Sequence, residues 1–213
     1  MDEKTYTYDG EEVTVTWDQK RCIHAEECVH GLPDVFDVDR RPWIDPDEAD
    51  ADAVVEVVQR CPTGALHVTR NGENPEEVPA KNEAWLEANG PIYIHGQVEV
   101  QDRHGKTLLK DTRVALCRCG LSSNKPLCDG SHAEGFEDTG EIQACSLSAG
   151  DGASTLTLQA TRNGPMLLSG DITIRGTDGD ECSGGKGALC RCGASDSKPF
   201  CDGSHSRIGF DAE

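Results

Sequence analysis

The chain has 213 residues, a formal net charge of −19 and 11 cysteines. Strong acidity excludes binding to nucleic acid phosphates or anionic lipid, which would be repelled, and no apolar run is long enough to cross a bilayer. With hydrophobic residues at 36% and aromatics at 5%, small modules could bury little core each, so metal is expected to staple them.

No charged-then-apolar leader is visible over residues 2–17, which makes the cytoplasm the expected compartment. In a reducing compartment, clustered cysteines more often hold metal than form disulfides. The acidity fits plain solubility, and it would also steer a basic redox partner.

Residues 5–8 and 13–17 alternate across Asp9-Gly10 and predict a hairpin. Residues 47–60, opened by Pro46 with acids in the first turn, predict a helix with Val54, Val55 and Val58 on one face. Cys61-Pro62 ends it, residues 65–69 predict a strand, and the Asn-, Glu- and Pro-rich stretch 71–82 predicts a linker. Cys22, Cys28 and Cys61 then form a Cys-x₅-Cys loop, a helix and a distant Cys-Pro. Ordinary cubane loops carry a cysteine where Ala25 stands here.

On those residues the region 20–67 resembles the divergent single-cluster 4Fe–4S domain family and the small ferredoxins that serve P450 enzymes. The resemblance implies an N-terminal cluster on Cys22, Cys28 and Cys61. Three thiolates suit a [3Fe–4S] core, whereas a [4Fe–4S] core needs a fourth ligand such as His24 or water.

The rest of the chain is a duplication. Leu-Cys-Arg-Cys-Gly at 116–120 recurs at 189–193, and Cys-Asp-Gly-Ser-His at 128–132 recurs at 201–205. The turn Asn-Gly-Pro at 89–91 recurs at 163–165. Short strands are predicted at 92–94 and 97–100 around Gly96, at 156–158, and at 166–168 and 171–175 around Gly170.

The repeated ligand sets are Cys117, Cys119, Cys128 and His132, then Cys190, Cys192, Cys201 and His205, both spaced Cys-x-Cys-x₈-Cys-x₃-His. Zinc also accepts three cysteines and one histidine, but its loops usually separate the first pair by two to four residues. A two-iron rhomb divides the four ligands into two pairs, which favours iron. Gly130 and Gly203 are expected to let backbone approach sulfide, Asp129 and Asp202 to cap the histidine turns, and Lys125 and Lys198 to lie near the cluster or in solvent.

The string with Ser122 and Pro126 in the first copy, and Ser195 and Pro199 in the second, resembles the CDGSH or NEET iron–sulfur family over residues 89–210, including Gly-Phe at 135–136 and 209–210. The resemblance implies two [2Fe–2S] clusters, each held by three cysteines and one histidine beneath a shared β cap. Cys145 and Cys182 remain, and free thiols are expected of them, with a redox pair or an alternative ligand as the other readings.

The expected fold class is therefore α+β: a small ferredoxin-like module over 1–70, a linker over 71–82, and two mostly β units over 83–140 and 141–213. The two units are expected to share a pseudo-two-fold β cap within one monomer. No nucleophile–base set or nucleotide loop marks an enzyme. The expected function is one-electron transfer with a reductase or acceptor enzyme, the alternatives being cluster transfer to an apo-acceptor, redox sensing, or a zinc-stabilised interaction module.

Overall fold

The alternation around Asp9-Gly10 becomes a hairpin in the computed structural model, which describes residues 4–212. Strands β1 (Thr5–Asp9) and β2 (Val13–Asp18) pair antiparallel, and β3 (Leu66–Arg70) adds on the far side of β2. Val13 and Val15 of β2 point inward with Leu66 and Val68 of β3, as the two-residue period of a half-buried sheet requires.

Two helices, α1 (Glu27–Gly31) and α2 (Ala51–Gln59), accompany this sheet. The predicted helix over 47–60 starts later than its acids suggest. Residues Pro46–Glu48 form a separate 3₁₀ turn, with the Asp45 carboxylate accepting from the Asp47 N–H at 3.3 Å. Ala49 is extended and separates that turn from α2. The buried stripe is Ala51, Val54, Val57 and Val58, so Val57 takes the fully inward place expected of Val55, which is half-buried against the same core. These residues pack with Val35, Phe36 and Ile44 into the core of the first unit.

The chain divides into two compact units, Met1–Glu77 and Val78–Glu213. The second is nearly all β: β4 (Glu83–Leu86), β5 (Ile92–Gln101), β6 (Thr107–Leu116), β7 (Thr155–Ala160), β8 (Met166–Arg175) and β9 (Glu181–Leu189), with the single-turn α3 (Ser204–Arg207). The segments predicted on either side of Gly96 are one continuous strand, as are those around Gly170. Each bends at a register shift, between His95 and Val98 and between Ser169 and Ile172. The chain as a whole is mostly β with few helices.

Pairing in this unit is reciprocal between the two copies of the repeat. β4 runs antiparallel to the first half of β5 and parallel to the second half of β8. β7 runs antiparallel to the first half of β8 and parallel to the second half of β5. Asn82 pins this exchange. Its amide donates to the carbonyls of Ser154 and Asp171 at 2.9 and 2.8 Å, and its side-chain oxygen accepts from the Gln97 N–H at 2.8 Å. The core beneath takes residues from all six strands, among them Ile94, Val100, Val114, Leu158, Ile174 and Leu189.

Cys145 and Cys182 depart from the expectation of free thiols: they are joined as a disulfide, with Cα atoms 5.2 Å apart. The segment after Cys145 returns along β9, where the Ser148 N–H donates to the Lys186 carbonyl at 2.9 Å and the Gly185 N–H donates to the Ser148 carbonyl at 2.8 Å. That return brings Cys145 beside the inward-facing Cys182 of β9.

Candidate metal centres

Each repeat builds the same loop after its last long strand. Cys117 follows β6, and its N–H donates to the Pro126 carbonyl at 3.0 Å; Cys190 follows β9 and donates to the Pro199 carbonyl at 2.8 Å. The N–H groups of Cys128 and Cys201 return to the carbonyls of Ala115 and Ala188, both at 2.9 Å. Ser122 and Ser195 hold the loop closed, donating to the Leu127 and Phe200 carbonyls at 2.7 Å each. Four cysteine and histidine side chains are thereby carried to the end of the sheet in each copy.

The donors arrive as pairs. In the first copy Cys117 Sγ and Cys119 Sγ are 3.6 Å apart, and Cys128 Sγ lies 3.3 Å from His132 Nδ1. In the second copy the corresponding distances are 3.7 Å for Cys190 and Cys192, and 3.3 Å for Cys201 and His205. Among the described residues, no three His, Cys, Asp or Glu side chains converge as they would around one ion. Two pairs per loop is the division that a binuclear centre takes.

Backbone donors already face the sulfurs. The N–H groups of Leu121 and Gly130 point at Cys119 and Cys128 at 3.4 Å, and that of Gly203 points at Cys201 at 3.4 Å. Gly130 and Gly203 are needed for their left-handed backbone, φ 89° and 87°, and a side-chain carbon on Gly203 would meet no protein atom within 4 Å. Close approach of one loop to the other occurs at Gly120 and Gly193. A Cβ there would come within 2.7 Å of the Cys192 carbonyl oxygen and 2.6 Å of the Cys119 carbonyl oxygen, so the two loops lie back to back.

The acids of the motif cap the histidine turns. Asp129 accepts from the Ser131 and Ser123 N–H groups at 3.1 and 2.7 Å, and Asp202 accepts from Ser204 and Asp196 at 2.9 and 3.0 Å. Asp202 is held well below the usual carboxylate range, first by the Ser204 side chain and then by these N–H groups. Lys125 and Lys198 curl back to donate to the Ser122 and Ser195 carbonyls. Hydrogen bonding from Cys119 lowers the Cys117 thiol to about 6, while Cys119 is pushed up in turn. Burial pushes Cys128 up to about 11. A metal would displace protons from buried thiols such as this one.

Sequence reasoning missed the arginines between the paired cysteines, though their repetition was the signal. Arg118 and Arg191 are each 2% exposed. Arg118 donates to the Gly90 and Glu87 carbonyls and forms an ion pair with Asp138 at 2.6 Å; Arg191 donates to the Gly164 and Thr161 carbonyls. Burial works against the charge on Arg191, and Cys117 works for it.

In the first unit Cys22, Cys28 and Cys61 line one cavity of about 340 Å³, together with Ala25, Trp17 and Trp43. Cys28 is raised to about 11, by burial first and then by the nearby Cys61. The Nε1 of Trp17 is buried without a partner at this cavity, and an unpaired buried donor costs roughly 1–3 kcal/mol. Three thiols and an unused N–H around a space of this size fit a bound anionic cluster. His24 also lines the cavity, exposed and in left-handed backbone, φ 58°.

The two units resemble known families separately. A family model described as a divergent 4Fe–4S mono-cluster matches residues 8–71, and one described as a CDGSH-type iron-binding zinc finger matches residues 89–133 and again 163–206. The uncharacterized protein YjdI of Escherichia coli strain K12, like that of strain O157:H7, is 44% identical over 59 residues, which are 28% of this chain and 78% of the relative. No solved structure matches the chain. No helix among the described residues is long and apolar enough to cross a membrane. With duplicated Cys₃His loops in one unit and a three-cysteine cavity in the other, the chain belongs to the CDGSH iron-binding family, in a tandem form preceded by a divergent 4Fe–4S mono-cluster domain.

Proposed function

We propose that the protein is a one-electron carrier holding a [2Fe–2S] cluster on Cys117, Cys119, Cys128 and His132, a second on Cys190, Cys192, Cys201 and His205, and a [3Fe–4S] or [4Fe–4S] cluster on Cys22, Cys28 and Cys61. The observation that carries the reading is the pairing of donors, two and two, in both copies of the loop. A zinc site would ask for four donors around one point.

A bound cluster supplies a one-electron couple. The protein's part is to hold it in place, to aim N–H groups of Leu121, Gly130 and Gly203 at the ligand sulfurs, and to bury Cys117, Cys119, Cys128 and Cys190 while leaving Cys192, Cys201 and both histidines half-exposed. Donors aimed at ligand sulfur favour the reduced, more negative state. The half-exposed histidine edges would be where an electron enters or leaves, through a reductase or an acceptor protein. The reciprocal strand exchange supports a monomer in which the two repeats, over 83–140 and 141–213, form a pseudo-two-fold β cap.

The test is iron, sulfide and zinc content with a visible spectrum of the full chain, followed by incubation with an apo-ferredoxin. Iron with a near-equal amount of sulfide, retained while electrons exchange, is the expected result. A colourless zinc-loaded protein refutes the cluster assignment, and migration of the clusters to the apo-ferredoxin refutes the carrier role in favour of cluster delivery.

A further inference from the structure

The two Cys₃His loops have the same ligands, but their surroundings are not the same. In the first copy Asn89 and Asp138 exchange backbone and side-chain hydrogen bonds: the Asn89 N–H donates to the Asp138 carbonyl at 2.7 Å, and the Asp138 N–H donates to Asn89 Oδ1 at 2.8 Å. In the second copy Asn163 and Ala212 exchange the same two bonds, both at 2.9 Å. Ala212 is therefore the counterpart of Asp138. One copy has a carboxylate at this point and the other a methyl group.

That carboxylate serves two cations. Asp138 pairs with the buried Arg118 at 2.6 Å and with Lys198 at 3.6 Å. Among the described residues, their counterparts, Arg191 and Lys125, find no acid. Arg191 Nη1 is buried with no hydrogen-bond partner, and Lys125 Nζ donates only to the Ser122 carbonyl. Arginine keeps its charge in proteins, so a buried guanidinium lacking a counter-ion is costly unless something negative lies within reach. The group within reach is the first metal loop: Arg191 and Lys125 both act electrostatically on Cys117. The back-to-back packing of Gly120 against Cys192 and Gly193 against Cys119 sets the backbone two residues beyond Arg191 against a ligand residue of the first loop.

We infer that the two Cys₃His sites are electrically inequivalent, and that the site on Cys117, Cys119, Cys128 and His132 is the stronger electron acceptor, because Arg191 and Lys125 act on it without the acid that neutralises Arg118 and Lys198. The inference rests on the cluster assignment proposed above. The redox step is the addition of a single electron from an external one-electron donor, with no bond made or broken in the protein. An electron entering at the second site would run downhill to the first, giving the tandem a direction that a symmetric pair lacks. A whole charge left uncompensated in a buried setting sets the scale: a preference of about tenfold or more for the first site, equivalent to about 59 mV for a one-electron couple.

The experiment is a mediated redox titration of the full-length, iron-loaded protein, followed by visible absorbance and electron paramagnetic resonance. The parent is expected to show two Cys₃His waves at least tenfold apart. His132→Cys, which replaces imidazole with a more donating thiolate, is expected to move the upper wave. Ala212→Asp is expected to lower the upper wave toward the lower one, and Asp138→Asn, which keeps the shape but removes the charge, to raise the lower wave toward the upper. The wave of the N-terminal cluster stays fixed in all three variants and serves as the internal reference. If Ala212→Asp does not load iron, Asp138→Asn decides alone. Coincident parent waves that Asp138→Asn does not move overturn the inference, as does a His132→Cys shift of the lower wave. Both of those results leave the cluster assignment standing, whereas zinc in place of iron removes the assignment itself.

Discussion

Replacing Cys145 by serine removes the single cross-link of the second unit while leaving Cys182, which is 1% exposed, as a small buried thiol. The link spans 37 residues, and closing a loop of that length lowers the entropy of the unfolded chain by an amount equivalent to about 4 kcal/mol at room temperature. For a unit of this size one kcal/mol moves the thermal midpoint by about 4 °C, so the loss is roughly 10–16 °C. The assay compares parent and Cys145→Ser proteins matched for iron content, with and without a thiol reductant. The reductant should lower the parent toward the variant and leave the variant where it is. A parent whose intact mass carries both thiol hydrogens, or midpoints within 2 °C of each other in oxidising buffer, would refute the reasoning.

Glu99 is held down at about 2 by hydrogen bonds from Thr107, Gln101 and Lys110, so its contribution is complete above the ordinary glutamate value of about 4.3 and is lost as pH falls through the folded value. The urea midpoint of the parent should therefore exceed that of Glu99→Gln at pH 6, with the gap closing between about pH 4 and 2; a gap that persists unchanged to pH 2 sinks the claim. Ala25 lines the N-terminal cavity where a cubane would take its missing thiolate. Ala25→Cys should abolish the paramagnetic signal of an oxidised [3Fe–4S] centre by completing a silent [4Fe–4S]²⁺ one, and an unaltered signal would count against that corner. Gly193→Ala forces a side chain into left-handed backbone, φ 80°, against the Cys119 carbonyl, costing about 1–2 kcal/mol from the backbone alone. Iron per chain should fall even though no ligand has changed, and full loading would show that the two loops are not in contact.

The repeats were legible because chemistry fixes both residue type and spacing at a ligand: eight donors recur at identical intervals, and the loops around them close identically. The hairpin around Asp9-Gly10 was legible for a local reason, a turn between alternating strands. What sequence reasoning missed depends on neighbours distant in the chain. β9 carries Gly184, Gly185 and Gly187 and has no strand signature of its own. It is a strand because β8 pairs along one side and residues around Ser148 lie on the other. β4 is only four residues long and gains its partners from both repeats. The disulfide was hidden for the same reason, since nothing near Cys145 in sequence reveals that its segment doubles back along β9. The difference between Asp138 and Ala212 lies outside the matching blocks, where the register between copies slips, and hydrogen bonds to Asn89 and Asn163 were needed to align them.

The exchange of strands between repeats also governs how the protein can be made. A ribosome delivers Cys117, Cys119, Cys128 and His132 well before β7 and β8, yet β5 takes one neighbour from β7 and β4 takes one from β8. The sheet that supports the first ligand set is unfinished until Arg175 has emerged, and its back-to-back loop is missing until Gly193 has followed. The first set of ligands is thus complete as sequence long before it is complete as a scaffold. Iron and sulfide delivered to the nascent chain would meet loose thiols, so maturation of both sites belongs after translation, on the finished unit.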